Sequence, residues 1–126
     1  MKRIVVLCLA LWLTSCATFN NPLTISRLAS LESAYGIALS GAVAYYELYK
    51  TNRCTKAHPF NPISNLCAAR SIVVRLQQAD IRAQSALQAA RKFVINNPTI
   101  DATALLDAAQ VAIGAFQQVQ QQSAVQ

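Results

Sequence analysis

Charge is scarce in this chain, and so are the side chains that usually carry chemistry. Asp, Glu, Lys and Arg make up 13% of its 126 residues, and there are one histidine, one tryptophan, one methionine and three glycines. A lone histidine, His58, cannot build a cluster of imidazole ligands, and here it lies between Ala57 and Pro59 with no second base beside it. The acidic residues of the body (Glu32, Glu47, Asp80, Asp101 and Asp107) are scattered, so no two carboxylates share a helical face for acid–base work. Three glycines are too few for a phosphate-cradling loop, and neither a Gly-x-Ser-x-Gly elbow nor a His-Glu-x-x-His helix occurs. Eleven basic against five acidic residues is a mild surplus, far from the dense basic face of a nucleic-acid binder. No internal repeat is present. Ile72-Val73-Val74 is too short for a strand and lies inside a helical period. Neither an enzyme nor a cofactor-binding protein is expected.

Long apolar runs are also missing. The longest, Ile4 to Leu13, is ten residues. As a helix it would rise about 15 Å, half the roughly 30 Å of a bilayer's hydrocarbon core. That length suits a signal-peptide core better than a spanning anchor. Lys2 and Arg3 precede it, and Leu13-Thr14-Ser15-Cys16 follows it. This order resembles the signal peptide and lipobox of bacterial lipoproteins. The resemblance covers sixteen residues. It implies that residues 1–15 are removed, that Cys16 takes a diacylglyceryl thioether, and that residues 16–23 form a lipidated tether. Ala17 is not the aspartate that the family associates with inner-membrane retention, so the resemblance favours a lipid anchor in the outer membrane, on its periplasmic face. Multiple acyl chains hold a protein firmly to a bilayer, at about 0.8 kcal/mol per buried methylene. Removing fifteen residues leaves 111, with nine basic and five acidic side chains, a net charge of +4 and no tryptophan, because Trp12 is lost.

With Cys8 in the signal and Cys16 lipidated, Cys54 and Cys67 remain. An even pair in an exported chain reads as a disulfide. The alternative is a metal site with His58 as third ligand, but that spacing matches no common zinc pattern and lacks a fourth ligand.

The body, residues 24–121, reads as an all-α, up-down-up three-helix bundle with a disordered tail at 122–126. The first helix is expected from Thr24 as N-cap, with Leu23 and Leu28 as a hydrophobic staple, to about Asn52. Its inner stripe is Leu28, Leu31, Tyr35, Ala38, Ala42, Tyr45 and Tyr49, and a second row, Leu39, Val43 and Tyr46, predicts a second neighbour. Gly36 and Gly41 imply close approach of another helix. Asn61 followed by Pro62 predicts the start of the second and longest helix, which runs to about Ile95 through Leu66, Ala69, Val73, Leu76, Ala83, Leu87, Ala90 and Val94. Asp80 falls in that stripe and is expected at its margin, near Arg75 or Arg82. Asn96-Asn97-Pro98 stops the helix. Asp101 is the expected cap of the third, with Ile100 and Leu105 as a staple and Leu105, Ala109, Ala112, Ile113, Phe116 and Val119 inside; fraying is expected from Gln117.

The remaining signal is a cluster at one end. Lys50, Arg53, Lys56 and His58 lie in or beside the cysteine loop, Arg70 enters from the second helix, and Tyr49 and Phe60 are interleaved. Arg and Tyr are common in binding hot spots. Tyr45, Tyr46 and Tyr49 could form an aromatic box, although their spacing also fits the end of the core. The leading expectation is a non-enzymatic envelope lipoprotein that offers this membrane-distal loop to a protein or an acidic polymer. The alternative is an inhibitory, exclusion or lysis-associated lipoprotein of a phage or mobile element.

Overall fold

The structure, a computed structural model, describes residues 22–61 and 67–123. Among the described residues three helices carry the fold: α1 (Pro22–Thr51), α2 (Arg70–Asn96) and α3 (Thr103–Ser123). Cys16, the signal segment and most of the expected tether lie outside the described residues. Each helix packs against both others. No helix among the described residues is long and apolar enough to cross a membrane.

The 3.6-residue period of apolar positions decides which face of each helix is buried. From α1 come Leu28, Leu31, Ala38 and Tyr45, from α2 Val73, Leu76, Ala83, Leu87, Ala90 and Val94, and from α3 Leu106, Ala109, Ile113 and Phe116. Phe116 is the largest fully enclosed side chain, with Tyr35 tilted against it at 6.1 Å between ring centroids. The alanines at the seams are fully buried, which is how small residues let helix backbones approach.

Polar pairs fix the register between helices. Along α1 and α2, Glu32 meets Arg91 at 3.6 Å, the Tyr35 hydroxyl donates to Asp80 at 2.7 Å, and the Tyr45 oxygen accepts from the Ala69 N–H at 2.9 Å. Numbers rise on α1 as they fall on α2. Along α1 and α3 they rise together: Arg27 pairs with Asp107 and donates to Gln110, Tyr35 touches Phe116, and Gly41 faces Gln120. A Cβ on Gly41 would meet the Gln120 side-chain amide, so this glycine marks a close approach; at Gly36 nothing lies within 4 Å.

Several expectations need correction. Pro22, Leu23 and Thr24 are helical, so Thr24 is not an N-cap, and Leu23 is three-quarters exposed rather than stapled to Leu28. The second helix does not begin at Asn61. Asn61 is irregular and α2 starts at Arg70, because Ala68 is held in an extended bridge to Arg53. The backbone groups a helical turn would need are already engaged: Ala68 N–H donates to Asn52 O and Cys54 N–H to Ala68 O. Pro62 and Leu66 lie outside the described residues. At 27 residues α2 is shorter than α1 at 30, so the first helix, not the second, is the longest. Asp80 is bonded to Tyr35 instead of an arginine. Asp101 does serve α3: the Thr103 hydroxyl first, at 2.6 Å, and then the Thr103 N–H, at 2.8 Å, donate to its carboxylate and hold it below the usual range. Ile100 remains 56% exposed, and Leu106, not Leu105, is the buried leucine. The helix continues to Ser123 without breaking at Gln117.

Candidate functional site

The cysteine loop lies where α1 ends and α2 begins. Thr51 caps the end of α1 by donating its hydroxyl to Leu48 O at 3.1 Å, and Asn52 N–H returns to Leu48 O at 2.7 Å. The chain then leaves the helix and meets itself again at the Arg53–Ala68 bridge. Next to that bridge, Cys54 and Cys67 are joined in a disulfide. The cysteine pair is therefore structural, which removes both thiolates from the metal alternative. Among the described residues no three His, Cys, Asp or Glu side chains converge as a metal site. Inside the loop, His58 N–H donates to the Thr55 hydroxyl and Thr55 N–H to His58 O, making a small closed turn.

Beneath the loop lies Tyr45. Its hydroxyl is buried and accepts from the N–H of Ala69, the residue before α2. Burial pushes its phenol up, and the bond from Ala69 draws it partly back. Phe60 and Tyr49 are half-buried and pack against the core. The cations sit outside this apolar floor. Arg53 lies over the Tyr49 ring at 4.8 Å and Lys50 over the Tyr46 ring at 5.3 Å, while Tyr46 and Tyr49 stack at 6.5 Å. Such contacts hold an exposed cation by about 0.5–1 kcal/mol. Glu47 pairs with Lys50 at 2.8 Å, and that hydrogen bond keeps the ammonium protonated to higher pH than usual.

Lys50, Arg53, Lys56, His58 and Arg70 are all exposed. Among the described residues, no carboxylate lies within ion-pairing distance of Arg53, Lys56 or Arg70. Of the sequence cluster, Lys50 and Arg53 are laid over aromatic rings, while Lys56 and His58 in the loop and Arg70 at the start of α2 are exposed nearby in the chain. The tyrosine trio divides. Tyr45 belongs to the core, Tyr49 is a half-buried shelf, and Tyr46 is 43% exposed. The row Leu39, Val43, Tyr46 lies on the α2 side of α1, which packs against both other helices as that row predicts, although Val43 stays 51% exposed. It lines an open groove against Val73 and Gln77 of α2. Sequence reasoning missed this groove, although the same i, i+4, i+7 row was its signal.

Compared with known proteins, the chain matches no family model, no curated protein and no solved structure.

Proposed function

We propose that this chain is a non-enzymatic lipoprotein of the bacterial envelope, whose disulfide-closed tip is a contact surface for a protein. On this reading Cys16 carries the lipid and the bundle stands on the periplasmic face of the outer membrane. The register of the polar pairs supports an up-down-up course for the three helices. Over its thirty residues α1 carries the chain about 45 Å, which would hold the cysteine loop far from the lipid.

The observation that carries the proposal is the imbalance at the tip. Arg53, Lys56 and Arg70 have no carboxylate partner among the described residues, and two of the tip cations are laid over aromatic rings. A surface that only needed solvation could do so without Arg53 laid over half-buried Tyr49. Aromatic side chains beside arginine, on a backbone pinned by a disulfide, give a rigid patch that loses little entropy on binding.

The test is crosslinking in cells followed by mass spectrometry. Captured proteins should be lost when Lys50, Arg53 and Lys56 are changed together to alanine. Retention of every captured protein would refute the tip as the contact surface, and capture of polysaccharide alone would assign it to acidic polymer. Anchoring has its own check: Cys16→Ser should leave the membrane fraction.

A further inference from the structure

The outer face of α3 lacks what the surface of a bundle helix ordinarily carries. Of its 21 residues only Asp107 is charged, and that carboxylate already holds Arg27 of α1. The exposed row Ala104, Ala108, Val111, Ala115, Gln118 and Gln122 therefore runs at steps of four and three without a single charge, with Val111 73% exposed. A helix facing water normally sets charged side chains on that side. Beside this row, on the α2 wall of the same furrow, stand Arg75 and Arg82. Both are exposed, and neither has a carboxylate within ion-pairing distance among the described residues. Seven positions apart, they lie about 10 Å from each other along one line of the helix.

We infer that this α2–α3 face takes an acidic amphipathic helix of a partner protein. Its small apolar seam packs on the α3 row, and carboxylates seven residues apart meet Arg75 and Arg82. The surface is separate from the tip and shares no residue with it. Charge complementarity points away from the chain itself as occupant. The chain has five acidic side chains in all, and each is taken: Glu32 by Arg91, Glu47 by Lys50, Asp80 by Tyr35, Asp101 by Thr103 and Asp107 by Arg27. The segments outside the described residues contain no Asp or Glu. A second copy packed face to face would add its own Arg75 and Arg82 and no free carboxylate. An anionic bilayer fits poorly, because insertion draws on large apolar side chains and this row offers only alanine, valine and glutamine. A small molecule would stay mostly in water on so open a face, whereas small-molecule sites enclose about 70–90% of their ligand. Steps of four and three form the seam along which two helices lie side by side, and alanine lets their backbones approach.

The probe is a dye-labelled synthetic helix of three heptads, about 32 Å long, with Leu and Ala alternating at the seam and Glu at one flanking position of every heptad. A twin peptide carries Gln in place of Glu. Fluorescence anisotropy with the full-length chain should show the Glu peptide binding on the order of tenfold tighter than its twin, a gap that narrows as salt is raised. Arg75→Gln combined with Arg82→Gln, both at exposed positions, should remove the gap, and Val111→Glu should weaken both peptides, with helical circular dichroism unchanged. Alanine at Lys50, Arg53 and Lys56 should leave the Glu peptide's affinity within about twofold at physiological salt. In cells, Val111 replaced by photoreactive benzoylphenylalanine should crosslink to a segment of another protein that has carboxylates at seven-residue spacing, and the Arg75 and Arg82 double variant should lose that adduct. Equal affinity for the two peptides, a gap that survives the double variant, or loss of the Glu peptide in the tip variant would overturn the inference. So would adducts to lipid, to this chain's own peptides or to segments without acids, or the absence of any adduct. The tip reading is judged by the proteins lost from its own alanine variant, so either can fail alone.

Discussion

Replacing Cys54 and Cys67 together by serine tests how the tip is held. The disulfide closes a loop with a sequence separation of 13. A loop of about that size restricts the unfolded chain by roughly 3 kcal/mol, against a total stability on the order of 5–15 kcal/mol for a domain. Folded-state contacts do not vanish with the bond. The Arg53–Ala68 bridge keeps its two backbone hydrogen bonds, Tyr45 still accepts from Ala69, and Thr55 still closes on His58. At about 1 kcal/mol each, those bonds can keep the loop near its present course while the helices stay folded. The variant should therefore be destabilised by about 2–3 kcal/mol, lowering the urea midpoint by about 1–2 M if the slope is near 1.5–2 kcal/mol per M. The slope itself should rise, because an uncrosslinked unfolded chain exposes more surface. Amide exchange should quicken most at Cys54 and Ala68 and least within α3. An unchanged midpoint, or faster exchange spread evenly over all three helices, would refute this account of the loop as a locally pinned segment.

Three further outcomes follow from the core and its polar contacts. Phe116→Ala should cost about 3–5 kcal/mol in denaturant melts, because the ring is fully enclosed and the helices around it cannot close the space. The Tyr35 phenol is pushed up to about 12, by burial first and then by its hydrogen bond to Asp80. The unfolded phenol releases its proton near pH 10, so stability should hold below that pH and fall as pH rises from 10 towards about 12. Ultraviolet titration of phenolate, with Tyr35→Phe lacking the latest step, checks the assignment. Tyr45→Phe should cost about 1–3 kcal/mol by leaving the Ala69 N–H without its acceptor, seen as faster exchange at that amide.

The helices were legible because their evidence is local and repeated. Leu28 to Tyr45, Val73 to Val94 and Ala109 to Phe116 each present apolar residues at three- and four-residue steps, and each row lies in the core as that spacing requires. Asn97 and Pro98 end α2 where their backbone preferences say they should. What failed was local grammar applied where distant contacts decide. Asn61-Pro62 is a sound helix start by itself, but Ala68 pairs with Arg53 across the disulfide, and an extended residue there moves the start to Arg70. Asp80 has arginines nearby in sequence, yet its partner is 45 positions away on another helix. Leu105 and Leu106 are adjacent, and only the packing angle of α3 against its neighbours chooses between them. At the tip, the residue types named a charged aromatic cluster, while the stacking of Lys50 and Arg53 over particular rings needed the chain's path.

The three tyrosines at the end of α1 connect the core to the surface. Tyr45 and Tyr49, four residues apart, share one face of the helix at successive turns and Tyr46 lies beside them, so a single sequence run supplies three separate settings. Tyr45 faces inward, where its hydroxyl holds Ala69 and hence the start of α2. Tyr49 lies at the boundary, giving Arg53 a half-buried platform. Tyr46 faces the α1–α2 groove and carries Lys50 at its rim. Changing Tyr45 should therefore alter stability and the position of Arg70 together, whereas Tyr46→Ala should leave the melting transition within about 0.5 kcal/mol, as for most surface substitutions. If Tyr46→Ala instead destabilised the fold as strongly as Tyr45→Phe, the exposed row on α1 would belong to the core rather than to the wall of an open groove.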